Sequence, residues 1–144
     1  HSLRRRQRQM CIRDSWCLFG SPLMLGCELT KLDDATLALL TNRDVLSMLT
    51  PDCKPHQVCL DDEKAIWCAY NAVTGEHFAA FFNLSDETQT IHCDIETLHV
   101  GDEPCAHKDA SLTELWSKEK TSVSGSAISV TPPAHGCLVF RVEN

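Results

Sequence analysis

Paired carboxylates are the first thing in this 144-residue chain that could do chemistry: Asp33-Asp34, Asp61-Asp62-Glu63, Asp86-Glu87 and Asp102-Glu103. Two carboxyl groups facing one another across a bound molecule can share general acid and base work. Neighbours in one loop rarely converge on a common ligand, however. Asp33-Asp34 suits a helix N-terminus, where carboxylates are favoured. The others fall in turns, where solvated Asp is usual. Seven histidines and nine cysteines raise a metal reading, but there is no Cys-x-x-Cys, no His-x-His and no i, i+4 histidine pair, so zinc spacing is absent. None of the six glycines forms Gly-x-Gly, so there is no glycine-rich phosphate loop. Trp67, Tyr70 and Trp116 could stack a sugar, yet each sits among apolar neighbours and reads more readily as core.

The elements that would position these residues change character along the chain. His1 to Ser15 is Arg-rich without hydrophobic period, and Arg4, Arg5, Arg6, Arg8 and Arg13 are five of the 13 basic residues. Residues 1–15 are read as a disordered extension or, for Gln7 to Ser15, as the translated remnant of a sequencing adapter, a kind of segment to be set aside in fold reasoning. A basic nucleic-acid arm is the weaker reading. The remaining residues carry 8 basic and 19 acidic side chains, a net charge of −11, which argues against nucleic acid as partner. No stretch approaches the roughly 18 apolar residues that cross a bilayer. Cys17, Cys68, Cys93 and Cys137 lie in apolar runs, as reduced thiols do, which points to a cytoplasmic location.

From Trp16 the pattern reads helix end, buried strand, loop, helix. Leu23 to Leu25 form a continuous apolar run, as in a strand covered on both faces. Two helices follow, about Asp34 to Leu40 and Arg43 to Leu49, with Asp33 and Asn42 as capping residues and Pro51 as the stop. From Cys53 the period becomes two. Strands are expected over Ala65–Tyr70, His77–Asn83, Thr90–Ile95, Leu112–Trp116, Ala127–Thr131 and Cys137–Val142, the first two joined at Thr74-Gly75. Short strands between turn signals describe an antiparallel β-sandwich.

The order and spacing of several motifs resemble glycoside hydrolase family 27, the α-galactosidases or melibiases. They are Trp16, Leu18, Ser21-Pro22-Leu23, Gly26 and Leu29; then Leu37, Leu40, Asn42 and Val45; then Phe81-Phe82-Asn83-Leu84-Ser85-Asp86, Leu115-Trp116 and Pro132-Pro133-Ala134-His135-Gly136. The resemblance implies that residues 16–52 are the last β/α unit of a (β/α)8 TIM barrel and residues 53–144 a C-terminal β-sandwich. It implies a bacterial-type enzyme that hydrolyses terminal α-galactosides with retention, without metal or other cofactor, through two aspartates outside this chain. The chain alone would then be inactive, with no catalytic residue of its own. Lys31-Leu32-Asp33 has the letters of the family's nucleophile context but opens a helix, so it does not qualify.

Cys27 and Glu28 begin the loop after the expected final barrel strand, on the side where such barrels bind substrate. They are the only residues placed near a sugar, with a turn role for Glu28 as the competing reading. The same motifs are compatible with α-N-acetylgalactosaminides and β-L-arabinopyranosides, and oligomeric state is left open. The alternative to an enzyme piece is a free-standing β-sandwich that binds carbohydrate or serves structure.

Overall fold

The computed structural model describes residues 2–21, 26, 28–123 and 125–144. Helix α1 spans Ser2–Leu18, α2 Asp34–Leu40 and α3 Arg43–Leu46, ahead of ten strands. These are β1 Cys53–Leu60, β2 Lys64–Asn71, β3 His77–Asn83, β4 Ile91–Asp94, β5 His99–Val100, β6 Glu103–Pro104, β7 Ser111–Glu114, β8 Lys120–Ser122, β9 Ala127–Val130 and β10 Cys137–Glu143. A six-stranded sheet has the order β1-β2-β3-β10-β7-β8, every pair antiparallel. Opposite it lie the pair β4-β9 and the small hairpin β5-β6.

Strand alternation divides the large sheet into two apolar faces. Ile66 and Cys68 of β2, Ala79 and Phe81 of β3, and Phe140 and Val142 of β10 point toward the small sheets. There they meet Ile91, Cys93, Leu98 and Ile128, closing the sandwich core. Phe81 and Phe140 meet edge to face, with centroids 6.0 Å apart. Ala65 and Ala69 of β2, Phe78, Ala80 and Phe82 of β3, and Val139 of β10 point the other way. They pack on Cys17 and Leu18 of α1, Val45 of α3 and Met48. The molecule therefore has three layers: small sheets, large sheet, helices. β3 is buried along its whole length because it is covered on both sides.

Turn chemistry sets the registers. Asn71 Oδ1 accepts the amides of Val73 and Thr74, and Gly75 takes the left-handed φ of 76° that closes the β2-β3 hairpin. Asp61 Oδ1 accepts the amides of Glu63 and Lys64, turning β1 into β2. Asn83, 1% exposed, donates to Glu87 O and Pro132 O and accepts from Ser85 and Gln89. It ties the loop after β3 to the segment before β10. Gly136 is required in that segment, since a Cβ there would lie 2.6 Å from Pro133 Cγ.

Several expectations change. Residues 1–15 are not a disordered extension: they are helical from Ser2 and run without a break into Leu18. No Gly or Pro interrupts them, and Arg, Gln, Leu and Met are good helix formers. Arg13 and Asp14 are buried where the helix meets the rest of the fold. A reading from charge alone has no term for that docking. The third expected helix stops at Leu46 rather than Leu49. β7 ends at Glu114, two residues early, because the Glu114 carboxylate captures the amides of Trp116 and Ser117 and turns the chain. The sequence reading did not name β1, β5, β6 and β8 individually. The apolar run Leu23 to Leu25 lies outside the described residues, so the final barrel strand has no counterpart among those described.

Candidate functional site

Two places could carry function: the loop around Glu28, and the polar junction between the helices and the large sheet. Glu28 is exposed. Its Oε1 accepts the Thr30 hydroxyl at 2.9 Å, and its Oε2 pairs with Lys31 Nζ at 3.1 Å. Both are neighbours in a short 3-10 turn over Leu29–Lys31, so the carboxylate has a local role. Cys27 lies outside the described residues.

The remaining carboxylates do not converge. Asp33 caps α2 through the Thr36 amide at 2.7 Å, and the Thr36 side chain, then that amide, hold its carboxyl below the usual range. Asp61 makes its turn. Asp86 pairs with His135 at 2.7 Å, and Glu103 reaches His77 at 3.4 Å. Glu114 serves the amides of Trp116 and Ser117. Among the described residues, no group of three or more His, Cys, Asp or Glu side chains gathers as metal ligands would. None of their helices is long and apolar enough to cross a membrane.

The three aromatics named from sequence are already engaged. Trp67 packs against Phe19, ring centroids 4.5 Å apart. Tyr70 stacks on His77 at 4.7 Å. Trp116 is half-buried, with its indole N–H turned inward. An open cleft of about 380 Å³ lies where the pair β4-β9 leaves β7 and β8 uncovered. Leu112, Val123, Ile128, Leu138 and Phe140 form its apolar wall, and Glu114, Ser117, Glu119, Thr121, Ser122 and Ser129 make nearly half of its lining polar.

The helix–sheet junction is the more developed arrangement. Asp14 is fully buried near the end of α1. Its two oxygens accept the Trp116 indole N–H at 2.9 and 3.0 Å, and Cys137 Sγ donates to one of them at 3.3 Å. Burial pushes the carboxyl up to about 7, against the pull of those donors, and the nearby Glu114 charge adds to the rise. Arg13 donates to Leu40 O, fastening α1 to the end of α2. Asn42 caps α3 through the amides of Asp44 and Val45, and donates to Leu115 O at 3.0 Å. Asp44 is held below its ordinary range chiefly by Lys118, with Arg141 at 3.3 Å on its other oxygen. These bonds fix the helices on the sheet; they present no group to a substrate. Sequence reasoning missed them because Asp14 stood in a stretch read for charge. The available signal was Trp116, whose N–H needs a partner once buried.

The pH dependence of this junction follows from Asp14. Its carboxyl binds a proton more tightly in the folded chain than in the unfolded one, where the ordinary value is 3.8. The folded state thus holds the extra proton between about pH 4 and pH 7. Stability is greatest at the acid end of that window, falls as pH rises through it, and levels off above about 7. Urea unfolding across the window should show Asp14 contributing a decline of up to about 4 kcal/mol. Asp14→Asn should remove that share of the slope.

Comparison with known proteins places this geometry. Residues 61–142 match the family model described as the alpha galactosidase C-terminal beta sandwich domain. Alpha-galactosidase A of Cellvibrio japonicus is 24% identical over 135 residues, which cover 89% of this chain and 33% of that protein. A GH27 β-L-arabinopyranosidase from Geobacillus stearothermophilus is 26% identical with a TM-score of 0.82, covering 96% of this chain and 30% of that one. An α-galactosidase from Saccharomyces cerevisiae, solved with raffinose, shares the fold at 14% identity and a TM-score of 0.76, covering 96% of this chain and 43% of that one. The chain thus spans about a third of the length of the curated relative. Because the matched domain takes up more than half of its residues, this chain belongs to the family of α-galactosidase C-terminal β-sandwich domains.

Proposed function

We propose that this chain is the C-terminal portion of a family 27 α-galactosidase, in which residues 16–52 finish the (β/α)8 catalytic barrel and residues 53–144 form the sandwich packed on it. The observation that carries the reading is the second apolar face of the large sheet. Phe78, Phe82, Ala69 and Val139 on that face are buried under helical residues that precede the matched sandwich domain. The likeness to the arabinopyranosidase covers 96% of the chain and so extends well beyond residues 61–142. The helical layer also carries apolar surface that none of the described residues covers. Ile12, Trp16, Phe19, Leu29 and Leu37 are each 43–63% exposed, and α2 buries no residue. Surface of that kind marks an interface, and here it suits the remaining β/α units of a barrel.

In the whole enzyme, hydrolysis of terminal α-galactosides proceeds with retention. One aspartate attacks the anomeric carbon while a second protonates the leaving oxygen, then serves as base for water. Both stand on other barrel strands. In this reading Glu28, in the loop that would follow the final strand, exchanges its bonds to Thr30 and Lys31 for a sugar hydroxyl, and Cys27 is the second proposed contact. Gln7 to Ser15 is proposed to be adapter-derived sequence that completes a barrel helix in place of native residues. Source DNA that reads into unrelated codons upstream of Trp16 supports this; the same codons in an independent genomic clone overturn it. A free-standing sugar-binding module finds no support in the aromatics, since Trp67, Tyr70 and Trp116 are engaged by Phe19, His77 and Asp14.

The chain alone should release no nitrophenol from p-nitrophenyl α-galactoside. A chimera in which residues 16–144 replace the C-terminal third of the Cellvibrio japonicus enzyme should hydrolyse it, with the α-anomer as the first product by NMR. In that chimera Glu28→Gln should lower kcat/KM about tenfold, the scale of one hydrogen bond to a charged group. An unchanged value removes Glu28 from the site, and turnover by the chain alone overturns the reading.

A further inference from the structure

The two sides of the sandwich differ in width, and the difference leaves a gap of defined chemistry. The large sheet has six strands, whereas β9 pairs only with β4. Alternate residues of a strand send their N–H and C=O groups to opposite sides, so half of those on β9 point away from β4, over β7 and β8. Among the described residues no strand meets them there. β8 is likewise the outermost strand of the large sheet, paired only with β7. Thr121 and Ser122 of β8, then Val123, line the cleft between the two strands, and so do all four residues of β9, Ala127 to Val130. Consecutive side chains on a strand point to opposite faces. A run of them along one cleft means that the cleft looks at the strand's backbone edge. The gap is therefore bounded by two unpaired edges. Its floor is apolar: Leu112, Ile128 and Phe140 are 2%, 3% and 6% exposed. Its lip is polar and exposed, with Ser117, Glu119, Thr121 and Ser122. Among the described residues, Glu114 and Glu119 are the only charged side chains lining it, and both are acidic.

We propose that this gap takes an extended segment of a partner polypeptide, added as a strand to the free edge of β9, with small apolar residues at alternate positions and a lysine or arginine between them. The segment's backbone continues the β4-β9 ladder. Its apolar side chains enter the gap over Leu112, Ile128 and Phe140, and its cation reaches Glu119 at the lip. In strand addition the main-chain bonds supply affinity, and the pockets for alternate side chains supply selectivity. Three features choose this occupant. Strand edges present N–H and C=O groups that an apolar small molecule leaves unanswered. A cleft of about 380 Å³ takes a few small side chains, whereas a helix, about 10–12 Å across with its side chains, does not fit. The purely acidic lining selects a cationic segment and repels an acidic one. One Glu114 oxygen is already held by the amides of Trp116 and Ser117, so the exposed Glu119 is the main partner for the cation.

The test titrates the isotope-labelled 144-residue chain with the end-blocked peptide TVKVT and follows backbone amides by NMR. Saturable shifts should concentrate in residues 120–130, and alternate amides of β9 should exchange more slowly with solvent. A strand uses one alternate set of its amides for pairing. Methylating the nitrogens of one set in the peptide should therefore abolish binding, while methylating the other set should leave it intact. The peptide TVEVT should bind more weakly than TVKVT. Glu119→Lys should weaken binding of TVKVT about fivefold and reverse the preference between the two peptides. The absence of saturable shifts in residues 120–130 overturns the inference. So does equal binding of TVKVT and TVEVT, or binding that survives methylation of either set. The same shifts appearing on concentration of the chain alone also overturn it, since β9 then pairs with a second copy.

Discussion

The large sheet has no wet face at its centre, and the rest of the structure answers to that constraint. β3 is buried at all seven positions from His77 to Asn83, with Phe81 toward one layer and Phe78 and Phe82 toward the other. A strand of this composition left half-open would expose a ribbon of phenylalanine and alanine to water and invite association. Two different covers resolve it. On one side, β4-β9 and the β5-β6 hairpin make an ordinary sandwich core. On the other, α1, α3 and Met48 make a sheet–helix layer. Each core sets two phenylalanines among aliphatic side chains, and burying one such large apolar side chain is worth roughly 1.5–3 kcal/mol.

The two covers are held differently. The sandwich side closes with backbone ladders and turn side chains, chiefly Asn71, Asp61 and Asn83. The helical side is pinned by isolated polar bonds: Asp14 to Trp116 and Cys137, Asn42 to Leu115, and Asp44 to Lys118 and Arg141. A buried carboxylate with only three hydrogen bonds from uncharged or weak donors is a costly fastener, because removing its charge from water is incompletely offset. The sheet provides the hydrophobic drive toward the helices, and the polar pins set where they sit. This division fits an architecture in which the sandwich is a domain of its own and the helical layer belongs in part to a second, larger body.

Much of this was legible in the sequence, and the gaps have physical causes. His77–Asn83 reads with both ends right, with the turn signal Thr74-Gly75 marking where it starts. Asp33 and Asn42 were read as caps from residue type alone, and both bond the amides expected of them. The two-residue strands β5 and β6 are too short for any period to register. The third layer stayed hidden because Phe78-Ala79-Ala80-Phe81-Phe82 says only that both faces are apolar, not what lies on them. Asp14 was illegible for a different reason: an acid among arginines reads as solvated, and only the arrival of Trp116 and Cys137 from distant segments makes it interior. Glu28 was assigned from a loop's place in a family pattern, whereas its visible bonds, to Thr30 and Lys31, are local.

The central claim is that the large sheet is a core on both sides, with the helices acting as a true second cover. Urea unfolding of Phe78→Ala beside Phe81→Ala tests it most directly, since both side chains are fully buried in the same strand but point to opposite layers. Each substitution should cost about 3–5 kcal/mol, as expected for a phenylalanine removed from a closed core. If Phe81→Ala shows that cost while Phe78→Ala stays within about 0.5 kcal/mol of the parent chain, the helix-facing side behaves as surface and the three-layer account fails.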